Sequence, residues 1–402
     1  MKNEPVLIGR PPLLRLTNAQ VVLKLLRQSG PCSKADLVRA SGLSAPTVTN
    51  VVAHLASAGL VEPIGEGDST GGRPPDILRF RAERGCMVGA EITSDSVDFL
   101  LADLNGQELG RARIDLSSVP SKPPNVCSLI AAEARRLVRK HGQAGGQLLG
   151  LVVGIPAIVN VNEGSVLSFT PLENWRAVPV GRMLQDKLKC PVIVENDTNL
   201  AAQGEYYRGA AKKQDNFVFI TIGEGVGAGI FLNGQIYRGS QWSAGEIGYL
   251  RVPNISREKP AIDAYGRLEK VLGASGILKS WRSGNNGSRA RPQVNRAAEV
   301  LDLAAAGNAH AKQILKQRAI ILADVVLDMA LILNPSVILL GGEVGSHPRL
   351  LQEVTKLLEG SEVPVVRIKL SALGASAVLW GAIYSCLEPV ILSLIQTSKL
   401  AG

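Results

Sequence analysis

Near the start of the chain, apolar residues recur at helical intervals in three short segments. Thr17-Asn18-Ala19-Gln20 has capping-box spacing, and Val21, Val22, Leu25 and Leu26 follow it as one helix that Ser29-Gly30-Pro31 stops. Ser33-Lys34-Ala35-Asp36 opens a second, short helix that ends at Ser41-Gly42. Ser44 then caps a third, with Pro46 in the first turn, where its missing N–H costs nothing. Val48, Val51, Val52 and Leu55 share its inner face. Two short helices about a glycine-containing turn match the helix-turn-helix pattern. Residues 60–63 and 77–80 read as two strands around GEGDSTGGRPP, a wing with Arg73 near its tip.

From Gly85 the pattern changes to apolar strands alternating with helices, the mark of an α/β fold. Strand, loop, strand, Asn105-Gly106 and strand follow one another, and the order returns at 217–237 around Asn233-Gly234. Asn-Gly between apolar runs is a strong hairpin signal. The two copies, about 128 residues apart, predict a duplicated domain of two similar lobes. Further strands are expected at 148–155, 191–195 and 337–340, with helices at 128–140, 297–306 and 310–333. The polar run 283–292 reads as a surface loop or a tether. We place a winged domain at 1–83, a first lobe at 84–199 completed by a C-terminal helix at about 385–402, and a second lobe at 200–384.

Composition refines this only slightly. At 46% hydrophobic and 20% charged, the 402 residues are ordinary globular material. The first sixteen residues lack the apolar core of a signal peptide, and the run 319–333 is cut by Asp324 and Asp328, so a cytoplasmic protein is expected. Cys32, Cys86, Cys127, Cys190 and Cys386 form no C-x-x-C pair and read as reduced thiols. The net charge of +9 permits an acidic partner such as DNA, but residues 1–83 carry only +3 of it. Position carries more than charge. Ser44, Ala45, Pro46, Thr47, Thr49 and Asn50 are small or polar and open the third helix, where a recognition helix meets bases and phosphates. Arg73 in the wing is placed to reach a phosphate or the minor groove. A helical module that docks proteins is the alternative for this segment.

The glycines at 223, 225, 227 and 229 outline a turn suited to a phosphate or small ligand. Gly245-Glu246-Ile247-Gly248 and Glu195-Asn196-Asp197-Thr198-Asn199 place polar groups at strand ends, where open α/β sheets bind ligands. With Gly71-Gly72-Arg73-Pro74 and the run from Asn334 to Gly342 (NPSVILLGG), these motifs resemble transcriptional regulators of the ROK family (repressors, open reading frames and sugar kinases), from about residue 13 to 385. The resemblance implies a winged helix-turn-helix followed by a two-lobed actin-like ATPase (ribonuclease H-like) fold with a sugar in the cleft. It further implies that Asn196, Asp197, Glu246 and Glu269 hold sugar hydroxyls, Asp197 standing where the kinases keep their base.

Four departures from the family pattern bear on mechanism. The kinases' Asp-x-Gly-x-Thr loop is here Glu91-Ile92-Thr93-Ser94-Asp95, and Glu224 stands where the second loop has a threonine. Two carboxylates facing a triphosphate repel it, at roughly 3 kcal/mol per charge pair near 5 Å. ATP binding and catalysis are therefore not expected. Where the family's zinc ligands would align stand Tyr249, Pro260, Ile262 and Arg267, so no metal cofactor is expected. Pro171 replaces an asparagine before Trp175. The sequence thus reads as a repressor, a homodimer or homotetramer on operator DNA, controlled by a sugar. The alternatives are a sugar kinase with an added DNA-binding domain and a regulator that answers to a protein partner.

Overall fold

The computed structural model describes residues 11–66, 74–117, 119–142, 146–169, 175–251, 265–283, 292–359 and 366–398. Helix α1 spans Pro11–Ser29 and so begins six residues before Thr17, which lies inside it rather than capping it. Pro11 and Pro12 occupy its first turn, where no backbone N–H is needed, so the helix can start earlier than the Thr17 spacing suggests. After a short strand β1 (Cys32–Ser33) comes α2 (Lys34–Ser41), whose capping box forms as its spacing predicts. Ser33 Oγ accepts from Asp36 N at 3.2 Å, and Asp36 Oδ2 accepts from Ser33 N at 2.8 Å. Helix α3 (Ala45–Ser57) is capped by Ser44, whose Oγ accepts from Thr47 N at 3.3 Å. Ser44→Ala is expected to cost about 1 kcal/mol of stability, read from urea denaturation of the whole chain.

Strands β2 (Val61–Glu66) and β3 (Asp76–Phe80) form the antiparallel wing. β1 adds to its edge with Cys32 opposite Leu78, a pairing the sequence pattern does not announce. Arg73 and the polar run 284–291 lie outside the described residues.

The first large sheet is built from β4 (Gly85–Ile92), β5 (Ser96–Asp103), β6 (Glu108–Asp115), β7 (Gln147–Ile155) and β10 (Val192–Asn196). Helices α4 (Pro123–His141) and α5 (Val180–Leu188) and the hairpin β8 (Ala157–Asn160)–β9 (Ser165–Phe169) accompany it. Helix α6 (Asp197–Tyr207) leads to the second sheet: β11 (Phe217–Ile222), β12 (Val226–Leu232), β13 (Gln235–Ile236), β14 (Val337–Gly341) and β15 (Arg367–Leu370). Between β13 and β14 run α7 (Glu269–Leu272), α8 (Ala274–Ser283), α9 (Ala297–Ala305) and α10 (Ala309–Leu333). α11 (Gly342–Gly345) and α12 (Pro348–Leu358) precede β15, and α13 (Ala377–Thr397) follows it, starting ahead of the position near 385 expected from the sequence.

Strand order is β10-β7-β4-β5-β6 in one sheet and β15-β14-β11-β12-β13 in the other. Each has an antiparallel meander of three strands followed by two parallel ones, so the duplication seen in the pattern is a duplication of topology. Asn233 and Gly234 both take positive φ, 52° and 75°, as a two-residue hairpin turn requires.

Two helices lie between the sheets and hold the molecule together. α6 is buried nearly all round, packing Ala201 and Ala202 against Phe217, Phe219 and Phe231 of the second sheet. α13 covers the first sheet with Leu379, Ala382, Ile383 and Cys386. The residues 374–397 are long and apolar enough to cross a membrane, a run the sequence reading passed over; here most of it is core helix. α6 and α13 cross at Gly204 and Gly381, where a β-carbon on either would collide with the other helix's backbone. The winged domain adds to the α13 core. Leu23 and Leu26 of α1 and Leu78 and Phe80 of the wing belong to the same apolar cluster as Leu387, Val390 and Ile391.

Candidate ligand cleft and nucleic-acid interface

A cavity of about 420 Å³ opens between the lobes. Its walls come from the end of β4 and the turn after it, the junction of β10 with α6, the β11–β12 turn, the Gly245–Gly248 segment and the start of α7. Asn196, Asp197, Glu246 and Glu269 all line it, as do Glu91, Thr93, Asp95 and Glu224. Trp175 does not. It is buried in the first lobe, and its Nε1 donates to Ser121 O at 2.7 Å. Pro171 lies outside the described residues.

The local geometry divides these groups. Asn196 is the N-cap of α6: its Oδ1 accepts from Asn199 N at 3.0 Å, and its Nδ2 donates to Ala157 O at 3.1 Å. Glu269 accepts from Val226 N at 3.1 Å and Gly266 N at 2.8 Å, one on each oxygen. Both residues thus shape the cavity wall, and each keeps a lone pair or an N–H for a ligand. Asp197 uses Oδ1 on Thr198 N, at 2.7 Å, and leaves Oδ2 to the cavity. Among the described residues, neither the Glu91 nor the Glu246 carboxyl has a hydrogen-bond partner.

Electrostatics follow from this crowding. Each carboxyl is walled by protein on the sides away from the cavity. Burial pushes Glu91 up to about 8, helped by the charges of Asp197 and Asp98 and partly offset by Arg113. Burial, then Asp197 and Glu269, push Glu246 up to about 7. Burial also raises Asp197, against the hydrogen bonds from Thr198, and raises Glu269, against those from Gly266 and Val226. Near neutral pH the cavity therefore offers both protonated carboxyls that donate and ionised ones that accept, a set suited to hydroxyl groups.

The glycine-rich turn is closed on itself. Gly223 N donates to Gly225 O at 2.9 Å, and Val226 N is taken by Glu269. The positions aligned with zinc ligands do not fit that metal either. Tyr249 presents a phenol and Arg267 a guanidinium, neither of which is a thiolate or imidazole. Pro260 and Ile262 lie outside the described residues.

One functional contact had no signal in the pattern. Glu195, 3% exposed, pairs with Arg238 beyond β13: Arg238 Nε donates to Glu195 Oε2 at 2.7 Å and Nη2 lies 2.6 Å from it. Glu195 Oε1 accepts from Asn196 N and Asn199 Nδ2, so this pair clamps the start of α6 to the second lobe.

On the winged domain, Ser44, Ala45, Pro46, Thr49 and Asn50 are exposed and Thr47 is half-buried, while Val48, Val51, Val52 and Leu55 face the core. Thr47 Oγ1 lies 2.8 Å from Ser44 Oγ. The exposed start of α3 thus carries the short polar side chains expected there.

The family model described as ROK family matches residues 87–388, three quarters of the chain. The chain belongs to the ROK family. A model described as MarR family matches residues 16–62, across the helix-turn-helix. A xylose repressor of Bacillus spizizenii is 27% identical over 342 residues, 85% of this chain and 86% of that protein. A glucokinase of Halalkalibacterium halodurans is 29% identical over 281 residues, 66% of this chain and 85% of that protein. Among solved structures, a ROK family transcriptional regulator, homologue of the E. coli MLC protein, superposes with a TM-score of 0.79 at 23% identity, covering 97% of this chain and all of that one. That likeness carries the fold of the whole chain, with its winged domain and its two actin-like lobes.

Proposed function

We propose that this ROK protein is a transcriptional repressor that binds operator DNA through α3 and the wing, under the control of a sugar in the interlobe cleft. One observation carries the reading: the cleft and the winged domain are joined by packed helices. Asp197 in the cavity is the first residue of α6. α6 crosses α13 at Gly204 and Gly381. On α13, Glu388 pairs with Arg27 of α1 at 2.9 Å, and just beyond it Ser398 Oγ lies 3.4 Å from His54 Nδ1 of α3. A sugar that binds one arrangement of the lobes better than another shifts this helix pair, and with it the recognition helix. The repressor relative, which spans most of this chain, supports the reading.

The protein acts in the cytoplasm as a dimer or tetramer, since paired recognition helices read half-sites at fixed spacing. It does not phosphorylate its ligand, because Asp95, Glu224 and the internally bonded glycine turn leave a nucleotide phosphate no place to settle. The retained Asp197 and the glucokinase relative favour the kinase reading; sugar-dependent ADP release that disappears in Asp197→Ala would establish it.

The test is binding to the DNA upstream of the protein's own gene. Selective binding that weakens steeply with salt is expected. Asn50→Ala and Thr47→Ala are expected to relax base preference, each with a loss of about 1–3 kcal/mol at the cognate site. Uniform weakening on all sequences would place the base contacts elsewhere.

A further inference from the structure

We propose that the cleft selects an uncharged sugar and rejects its phosphorylated or carboxylated derivatives. This inference rests on the reading of the cleft as a sugar site and names the chemical class that it takes.

Three independent features point the same way. First, seven carboxyl groups line the cavity, and Arg113 is the one cationic side chain among the described lining residues. Arg113 is not free to meet an anion: its Nη1 lies 3.2 Å from Asp98 Oδ2, and its side chain is 63% exposed to solvent, which screens it further. Second, the start of α6, the one long helix that opens on the cavity among the described residues, is occupied by its own acid. An anion is ordinarily welcome at such an end, where N–H groups and the helix dipole face it. Here Asp197 stands in the first turn of α6, and Glu269 and Glu343 add further carboxylates to the same wall. Asp197 takes the N–H of Thr198. Third, two backbone donors of the glycine-rich turn are already taken, Gly223 N by Gly225 O and Val226 N by Glu269, and the turn carries the Glu224 carboxylate at its tip.

A phosphate entering this space would thus meet repulsion from the lining carboxylates, with the Arg113 cation already paired and the start of α6 already taken. A sugar hydroxyl has the opposite experience. It can donate to Asp197 Oδ2 and exchange hydrogen bonds with the Glu91 and Glu246 carboxyls, which have no other partner among the described residues. Both carboxyls are half-buried in the cavity wall, where a ligand hydroxyl can reach them.

Calorimetry of the full chain tests this with paired probes: D-glucose against glucose 6-phosphate, and N-acetylglucosamine against N-acetylglucosamine 6-phosphate, with D-xylose alongside. Binding of at least one parent sugar is expected, with its phosphate at least about a hundredfold weaker, as one or two unscreened charge pairs imply. For whichever pair binds, Glu224→Thr is expected to narrow that ratio about tenfold without weakening the parent sugar. A phosphorylated probe that binds as well as or better than its parent overturns the inference and leaves sugar control standing. Silence with every probe overturns the sugar-site reading itself, and the inference with it.

Discussion

Stability is expected to fall by several kcal/mol as pH rises from about 4.5 to about 8, and Glu91→Gln is expected to remove roughly half of that fall. The carboxyl of Glu91 has its ordinary value at 4.5 in the unfolded chain and about 8 in the folded one. Between these values the folded protein binds the extra proton. The contribution of this proton therefore shrinks with rising pH across that window and is gone above it, at about 1.4 kcal/mol per pH unit for one group. Glu246, raised to about 7, acts in the same direction, and the acids titrate together because their charges meet in one cavity. The lowered carboxyls Asp36, Glu83 and Glu108 work the other way, but below their ordinary values of 3.8 and 4.5, outside this window. Urea denaturation at several pH values reads the slope. A flat wild-type profile, or an unchanged one in Glu91→Gln, would remove Glu91 as a strained acid.

Arg238→Met is expected to cost about 3–5 kcal/mol, because it strands the buried Glu195 without its cation. The loss is expected at the joint of the lobes, where Glu195 also holds Asn196 N and Asn199 Nδ2. Adding Glu195→Gln should return part of the stability, since no lone charge then remains inside. A single-variant loss under 1 kcal/mol, or no recovery in the double variant, would show that the pair is not a clamp.

Much of the fold was legible because its signals are local. The capping box at Ser33, the cap at Ser44 and the Asn233-Gly234 turn each lie within a few residues in the chain, and the strand order repeats because each copy is itself a local meander. The cavity-lining acids were likewise marked by glycines and strand ends. The features that escaped depend on partners far away in sequence. β1 exists only because β3 returns to pair with it, forty-odd residues later. Arg238 has no pattern of its own until Glu195 is brought beside it. The glycines at 204 and 381 look like ordinary helix weaknesses until the two helices cross there. Thr17 shows the converse error: a good local cap signal lost to a helix that begins at Pro11, with two prolines in its first turn. The roles of Asn196 and Glu269 were similarly half visible. Their place in the cavity was readable, but their bonds to α6 and to the β12 backbone were not.

The cleft and the recognition helix are proposed to share one equilibrium, which linkage tests directly. If operator DNA and sugar bias the same two states, each must change the other's affinity by the same factor, typically about 5–150-fold. The measurement is calorimetry of the best-binding sugar against the free chain and against the chain saturated with its own upstream DNA, paired with DNA titrations with and without that sugar. Equal factors from the two directions, of either sign, are expected. A sugar that binds the free and DNA-bound chain with the same affinity would contradict the shared equilibrium.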